Sequence, residues 1–295
     1  MHLKNFWKRY RSGILFFAPF FILFTVFILI PIFVAFAISF TNYNMLESPD
    51  FIGIKNYVHL IMDDDIFLTA MKNTMVFAVV TGPLGYIFSF LAAWLIDTLP
   101  CKRFFALAFY VPSITSGVAM SAVWLYFFSG DRYGLINNFL INNGIITEPI
   151  LWTTDPKYIL GVVIIVQLWM SLGTGFLVFM AGLQNVDSSY YEAAAIDGIR
   201  SKLQELWYIT LPMMKPQLLF GAINAVVGAF GVFDVAVSIA GMPSPNYAAH
   251  TIVAHLYDYA FIRFNMGYAS AIAMILFLIT FVAGRLLIRF FSEKN

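Results

Sequence analysis

Residues 14–34 read ILFFAPFFILFTVFILIPIFV, and this stretch decides the fold class. It holds no charge, and the charge-free run around it extends from Arg11 to Glu47. An α-helix needs roughly 20 apolar residues to cross about 30 Å of hydrocarbon, so the run is long enough to span a bilayer. Its apolar residues are continuous and do not alternate, which excludes a β-barrel strand. Lys4, Lys8, Arg9 and Arg11 before it and Ala35-Phe36-Ala37 after it resemble the flanks of a secretory signal. A signal's apolar region holds only about 7–15 residues, so the length predicts a retained helix.

Outward from this stretch the same spacing recurs. No charge lies between Lys72 and Asp97, Arg103 and Asp131, Lys157 and Asp187, Lys215 and Asp234, or Arg263 and Arg285. The expectation is an all-α integral membrane protein with spans near 13–40, 73–96, 104–129, 158–183, 217–240 and 265–290. They form a single transmembrane domain over residues 1–295, with one long loop at 184–216. Composition agrees: 61% of residues are hydrophobic, 11% are charged, and mean hydropathy is +0.81. A soluble domain is about one-quarter charged, so too few charges remain here to cover a core, and the outer surface must meet lipid.

Lys and Arg set the orientation. With a cytoplasmic N-terminus, the inner segments carry Lys4, Lys8, Arg9, Arg11, Lys102, Arg103, Arg200, Lys202, Lys215, Arg285, Arg289 and Lys294. The outer loops carry Lys55, Lys72, Arg132, Lys157 and Arg263. Positive charge favours the inner side, so both termini are expected in the cytoplasm of a prokaryote. The net charge of +1 and the lack of a basic run argue against nucleic acid. Cys101 is the only cysteine, which excludes an internal disulfide. The four histidines lack ligand spacing; His250 and His255, five apart, do not share a helical face, so no metal site is expected. Asp63-Asp64-Asp65 reads as a solvated helix N-terminus.

The loop at 184–216 contains Tyr190-Tyr191-Glu192-Ala193-Ala194-Ala195-Ile196-Asp197-Gly198, then Ile209-Thr210-Leu211-Pro212 and Pro216. Asp187, Ser188 and Ser189 offer N-cap side chains, the alanines favour helix, and Gly198 suits a C-cap of positive φ. A short helix with a flat Ala face is predicted, with Glu192 and Asp197 at its ends. Arg200 to Tyr208 is predicted as a second short helix, ended near Pro212.

This loop resembles the EAA motif of binding-protein-dependent ABC importer permeases, in which Glu-Ala-Ala is followed by Gly after three residues and then by Ile-x-Leu-Pro. Glu192, Ala193, Ala194, Gly198, Ile209, Leu211 and Pro212 match, and Asp197 fits the carbohydrate branch. Ten residues separate Gly198 from Ile209, where the usual pattern has nine. Phe51-x-Gly53-x-x-Asn56-Tyr57, Asn73-Thr74, Tyr110-Val111-Pro112-Ser113, Trp124, Gly134-Leu135-Ile136-Asn137 and Ala181-Gly182-Leu183-Gln184 are similar to the maltose, glycerol-phosphate and multiple-sugar type. The resemblance implies a type I importer permease fold in which the Glu192 helix couples to a separate ATPase. It also implies a second related permease, two ATPase subunits holding ATP and Mg, and an extracytoplasmic solute-binding protein. The sequence has no G-x-x-x-x-G-K-[ST] phosphate loop, so this chain is not expected to be an enzyme.

Polar residues inside spans are candidates for a substrate path, because lipid-facing burial is costly. Asn224, Gly228 and Gly231 share a face of the fifth span, and Gln167, Ser171 and Thr174 a face of the fourth. The third offers Gly117, Ser121 and Trp124, whose indole suits a pyranose face. Helix packing by small and hydroxyl residues is the competing use of each face. Asp234 is the acid inside a predicted span and is expected at a wet gate or a partner subunit. A self-sufficient secondary transporter is the alternative; it requires ion-coupling residues and an internal repeat that the sequence does not display. A membrane-embedded enzyme requires clustered catalytic groups at membrane depth, which are likewise missing.

Overall fold

The computed structural model describes residues 2–115 and 117–292, with side chains from Gly13 onward apart from Pro112, Val118, Thr174 and Ser292. Among the described residues the elements are helical, and an isolated bridge joins Thr41 to Phe51. Among the described residues, five helices are long and apolar enough to cross a membrane: Gly13–Ile38, Asp65–Asp97, Ile159–Gln184, Lys215–Ala240 and Met266–Phe291.

The third predicted span, 104–129, is built as two helices, Lys102–Ile114 and Gly117–Phe127. Thr115 is extended between them, at φ −79° and ψ 140°. The local chemistry accounts for the interruption. Pro112 has no N–H for the helical ladder, and the Ser113 and Thr115 hydroxyls donate to the carbonyls of Tyr110 and Val111 at 2.8 and 2.9 Å. The fifth span is interrupted too, by Gly231, Val232 and Phe233 between the helices Lys215–Phe230 and Asp234–Ala240.

The second span begins at Asp65, earlier than the expected 73, because Asp64 caps it: Oδ1 accepts from the Phe67 N–H at 2.8 Å. At 33 residues it is about 50 Å long, so part of it extends beyond the hydrocarbon layer.

The chain divides into two compact units. One comprises residues 1–63 and 256–275. In it, no residue of the span Gly13–Ile38 is buried, as suits a helix surrounded by lipid or by another subunit. The segment after that span is folded by side-chain amides: Asn56 Nδ2 donates to the carbonyls of Ser39 and Thr41 at 2.9 and 2.8 Å. The Gly267 N–H reaches the Tyr43 carbonyl at 2.9 Å, and a Cβ at Gly267 would collide with the Thr41 carbonyl.

The other unit comprises residues 64–255 and 276–295. Its second and fourth spans approach through small residues. A Cβ at Gly85 would lie 2.7 Å from Ser171 Oγ, one at Gly175 would lie 3.0 Å from Ser89 Oγ, and Ser89 Oγ donates to the Ser171 carbonyl at 3.3 Å. Gly85 and Ser89, like Ser171 and Gly175, are four apart, the spacing that lets membrane helices approach backbone to backbone. Apolar clusters flank this contact. Phe77, Val163, Val166, Val235 and Ile239 belong to one, and Phe90, Phe176, Phe179, Met214 and Leu218 to the other.

Candidate functional site

The 184–216 loop is folded by its own caps. Helix Ser188–Ile196 starts at Asp187, whose carboxylate accepts from the Ser189 N–H at 2.9 Å. That hydrogen bond and the Ser189 hydroxyl hold the Asp187 carboxyl below its usual value. The helix stops at Asp197, and Gly198 follows at φ +96°. The Ile199 N–H then bonds back to the Ala194 carbonyl at 2.9 Å and the Gly198 N–H to that of Ala195 at 3.4 Å, the Schellman pattern. The predicted caps are therefore the observed ones. Glu192, in contrast, lies in mid-helix and not at an end, because the helix begins four residues before it. The Ala face is also split: Ala194 is buried, while Ala193 and Ala195 point outward with Glu192, Ile196 and Asp197.

The second part of the loop differs from its predicted form. Ser201 and Gln204 make a capping box for helix Lys202–Glu205, which continues through a π turn at Leu206–Thr210 into Leu211–Met213. The helical run passes through Pro212 because the proline sits where the π turn gives way to a new helical turn. A π turn uses one residue more than an α turn, and this accommodates the extra residue between Gly198 and Ile209. Leu206, Ile209 and Thr210 are buried, Leu211 is half-buried, and Pro212 is exposed. Tyr191 and Thr210 share a hydroxyl–hydroxyl hydrogen bond of 3.0 Å, which locks the two helices together.

What remains outward is unusual for an isolated loop. Ile196 is 87% exposed, and Trp207 and Tyr208 are exposed with it. Neither Glu192 nor Asp197 has an ion-pair partner among the described residues. Asp197 moreover stands at a helix C-terminus, where the helix dipole disfavours an acid.

The intramembrane candidates separate into two groups. Asn224, Gly228 and Gly231 are all exposed, with Phe220 and Val227 beside them, and a Cβ at Gly228 would meet nothing within 4 Å. They form an open face, although Gly231 terminates its helix as the C-cap. Gln167 is half-buried. The others make contacts within this chain. Ser171 donates to Leu168 O at 2.8 Å and packs on Gly85, so it belongs to the helix contact. Ser121 is buried and donates to the Gly117 carbonyl at 2.7 Å. Trp124 is enclosed by Phe127, Phe128 and Trp169, although its indole N–H has no acceptor. The Thr174 side chain lies outside the described residues. Asp234 begins the helix Asp234–Ala240, where a helix N-terminus favours a carboxylate, and it packs beside Gly117, where the second part of the third span begins.

Sequence reasoning missed a buried polar cluster in the same unit. Asp64 is not solvated: it is buried, and its Oδ2 lies 3.0 Å from His255 Nε2, with His255 only 1% exposed. The His250 ring meets the His255 ring edge-on at 5.6 Å. Asn73 Nδ2 donates to the carbonyls of Tyr247 and His250, and Thr74 Oγ1 accepts from the Ile252 N–H at 2.9 Å. The second span and its N-cap thus hold the segment 247–255 by three side chains, Asp64, Asn73 and Thr74, through four hydrogen bonds. The pairing joins residues about 180 apart, which no local pattern announces. No cluster of three His, Cys, Asp or Glu suited to a metal occurs among the described residues.

Comparison with known proteins agrees with this architecture. Residues 83–292 match the family described as binding-protein-dependent transport system inner membrane component. The chain is 34% identical over 275 residues to the probable ABC transporter permease protein YesP of Bacillus subtilis (strain 168), covering 92% of this chain and 87% of that one. It is 33% identical over 294 residues to the lactose transport system permease protein LacF of Rhizobium radiobacter, covering 98% and 96%. A crystal structure of a bacterial ABC transporter involved in importing the acidic polysaccharide alginate shares the fold, with TM-score 0.81, 20% identity and 99% of each chain covered. The chain is therefore a multi-pass membrane protein and belongs to the family of binding-protein-dependent transport system inner membrane components.

Proposed function

We propose that this chain is a transmembrane permease subunit of an ATP-binding-cassette importer that carries a sugar or oligosaccharide across the cytoplasmic membrane. The single observation that carries the reading is the outward surface of the 184–216 loop. Its helix is capped at both ends, is tied to the following turn by Tyr191 and Thr210, and presents Ile196, Glu192 and Asp197 without partners of their own. Such a helix is rigid enough to transmit a push and has an apolar and acidic tip for a groove in another subunit. Two ATPase subunits, holding ATP and Mg, supply that groove and the hydrolysis, since this chain has no phosphate loop.

The open face of the fifth span supports a second permease as partner. Phe220, Asn224, Val227 and Gly228 lie along one side of the helix and are exposed. A related subunit would close it, leaving the Asn224 amide to meet substrate hydroxyls between the two. A solute-binding protein delivers the substrate on the outer side, and both termini lie in the cytoplasm. The carbohydrate class is supported by the lactose permease relative.

Affinity purification of this chain from native membranes tests the reading. A second permease and an ATPase are expected with it, and a Glu192→Lys, Gly198→Trp double substitution is expected to lose the ATPase. Recovery of the chain alone, active in liposomes without ATP, refutes the importer.

A further inference from the structure

We propose that a basic pocket between the start of helix Lys102–Ile114 and the end of the fourth span binds the phosphate of an anionic phospholipid headgroup. A cavity of about 310 Å³ is lined by Lys102, Arg103, Ala106, Met180 and Gln184. The nearby acid is Asp97, whose Oδ1 lies 3.0 Å from Lys102 Nζ. That contact uses one of the three ammonium donors, and Arg103 has no carboxylate partner among the described residues. Lys102 and Arg103 against Asp97 leave one positive charge at the mouth. The guanidinium is a planar fork matched to two phosphate oxygens, and the Gln184 amide can add a third donor.

The position selects a lipid over a free anion. The second span ends at Asp97, the helix begins at Lys102 and the fourth span ends at Gln184, so the pocket lies where three helix ends meet one face of the bilayer. Ala106 and Met180 give it an apolar floor. From Arg103 the face continues through Leu107, Val111 and Ile114, all exposed and spaced i, i+4, i+8 and i+11. A headgroup phosphate held at Arg103 therefore has an apolar track for its acyl chain directly beneath it, which a soluble phosphate has no use for. Basic pockets between membrane helices are known to take lipid headgroups. The inference requires only that the chain spans a membrane, and it is independent of which partners complete the transporter.

The test uses the full-length chain, with whatever subunits copurify, in phosphatidylcholine nanodiscs doped with phosphatidylglycerol, followed by native mass spectrometry. Wild-type protein is expected to retain phosphatidylglycerol. Lys102→Gln with Arg103→Gln is expected to lower retention by at least about five-fold, the scale of one cation's attraction to anionic lipid. The charge-preserving exchange Lys102→Arg with Arg103→Lys is expected to keep it. Equal retention by the Gln variant overturns the site, and displacement of the lipid by millimolar inorganic phosphate overturns the lipid assignment. If the Gln variant fails to fold, wild-type protein decides. A bimane on Cys101, the only cysteine and an exposed one, is expected to be quenched more by brominated phosphatidylglycerol than by brominated phosphatidylcholine at equal fraction. Equal quenching refutes the proposal.

Discussion

Gly198 isolates the backbone requirement of the coupling loop from every other property of the site. Its φ is +96°, and a Cβ there would meet nothing within 4 Å. Gly198→Ala therefore introduces no clash, and its whole effect is conformational. Holding an L-residue in left-handed geometry costs roughly 1–2 kcal/mol. That is about a 5- to 30-fold fall in the ratio of capped to uncapped loop. The nine-residue helix before it is too short to stand without its caps, so the loss falls on the orientation of Glu192 and Asp197. The assay is substrate-stimulated ATP hydrolysis and uptake by the reconstituted transporter. Gly198→Ala is expected to lower both together, and Gly198→Asn is expected to lie between Ala and wild type, because Asn tolerates this region. Ala at wild-type activity, or Asn worse than Ala, refutes the reasoning that the glycine serves backbone geometry.

Asp64→Ala or His255→Ala removes one side of a buried hydrogen bond and is expected to destabilise by about 1–3 kcal/mol. The double variant should cost less than the sum in thermal unfolding followed by tryptophan fluorescence, and strict additivity denies the coupling. Gly221→Val drives a side chain into the Phe179 ring, 2.6 Å from where a Cβ would sit. It should cost about 1–3 kcal/mol through overpacking, while Gly228→Ala, in open space within a helix, should not lower the unfolding temperature of the isolated chain. Asn224→Leu is expected to change uptake rate or sugar preference without changing assembly; unaltered transport removes the fifth span from the pathway. The Asp187 carboxyl titrates below its ordinary value because the Ser189 groups favour its charged form. Its contribution to the loop is thus present above the unfolded value near pH 4 and is lost as pH falls through the lower folded value. Asp187→Ser should flatten that acid-side dependence in amide exchange of residues 188–196.

The fold was legible wherever one local property decides it. Charge-free runs of membrane length predict the spans, since lipid imposes the same demand on every residue of a crossing. Asp187 and Gly198 predict the caps of the loop helix because each acts on its own backbone neighbours. The interruption of the third span is written in Pro112, Ser113 and Thr115, yet the absence of charge from Arg103 to Asp131 does not reveal it. Reading the run as one helix follows from weighing transfer energy alone and leaving out backbone hydrogen bonding. The same omission conceals the break at Gly231.

The polar candidates show why face-sharing is weaker than it looks in a membrane. Small and hydroxyl residues serve both to let helices touch and to line a wet path, and spacing is identical for the two uses. Only the partner surface separates them. Ser171 packs against Gly85, while Asn224 is exposed. An uncovered amide in a span must be met by water, a second subunit or a cargo hydroxyl, because hydrocarbon leaves its bonds unmade. Asp64 and His255 carry the converse lesson. Two polar groups that looked solvated or scattered along the chain satisfy each other across about 190 residues, and burial is tolerated because the bond is made.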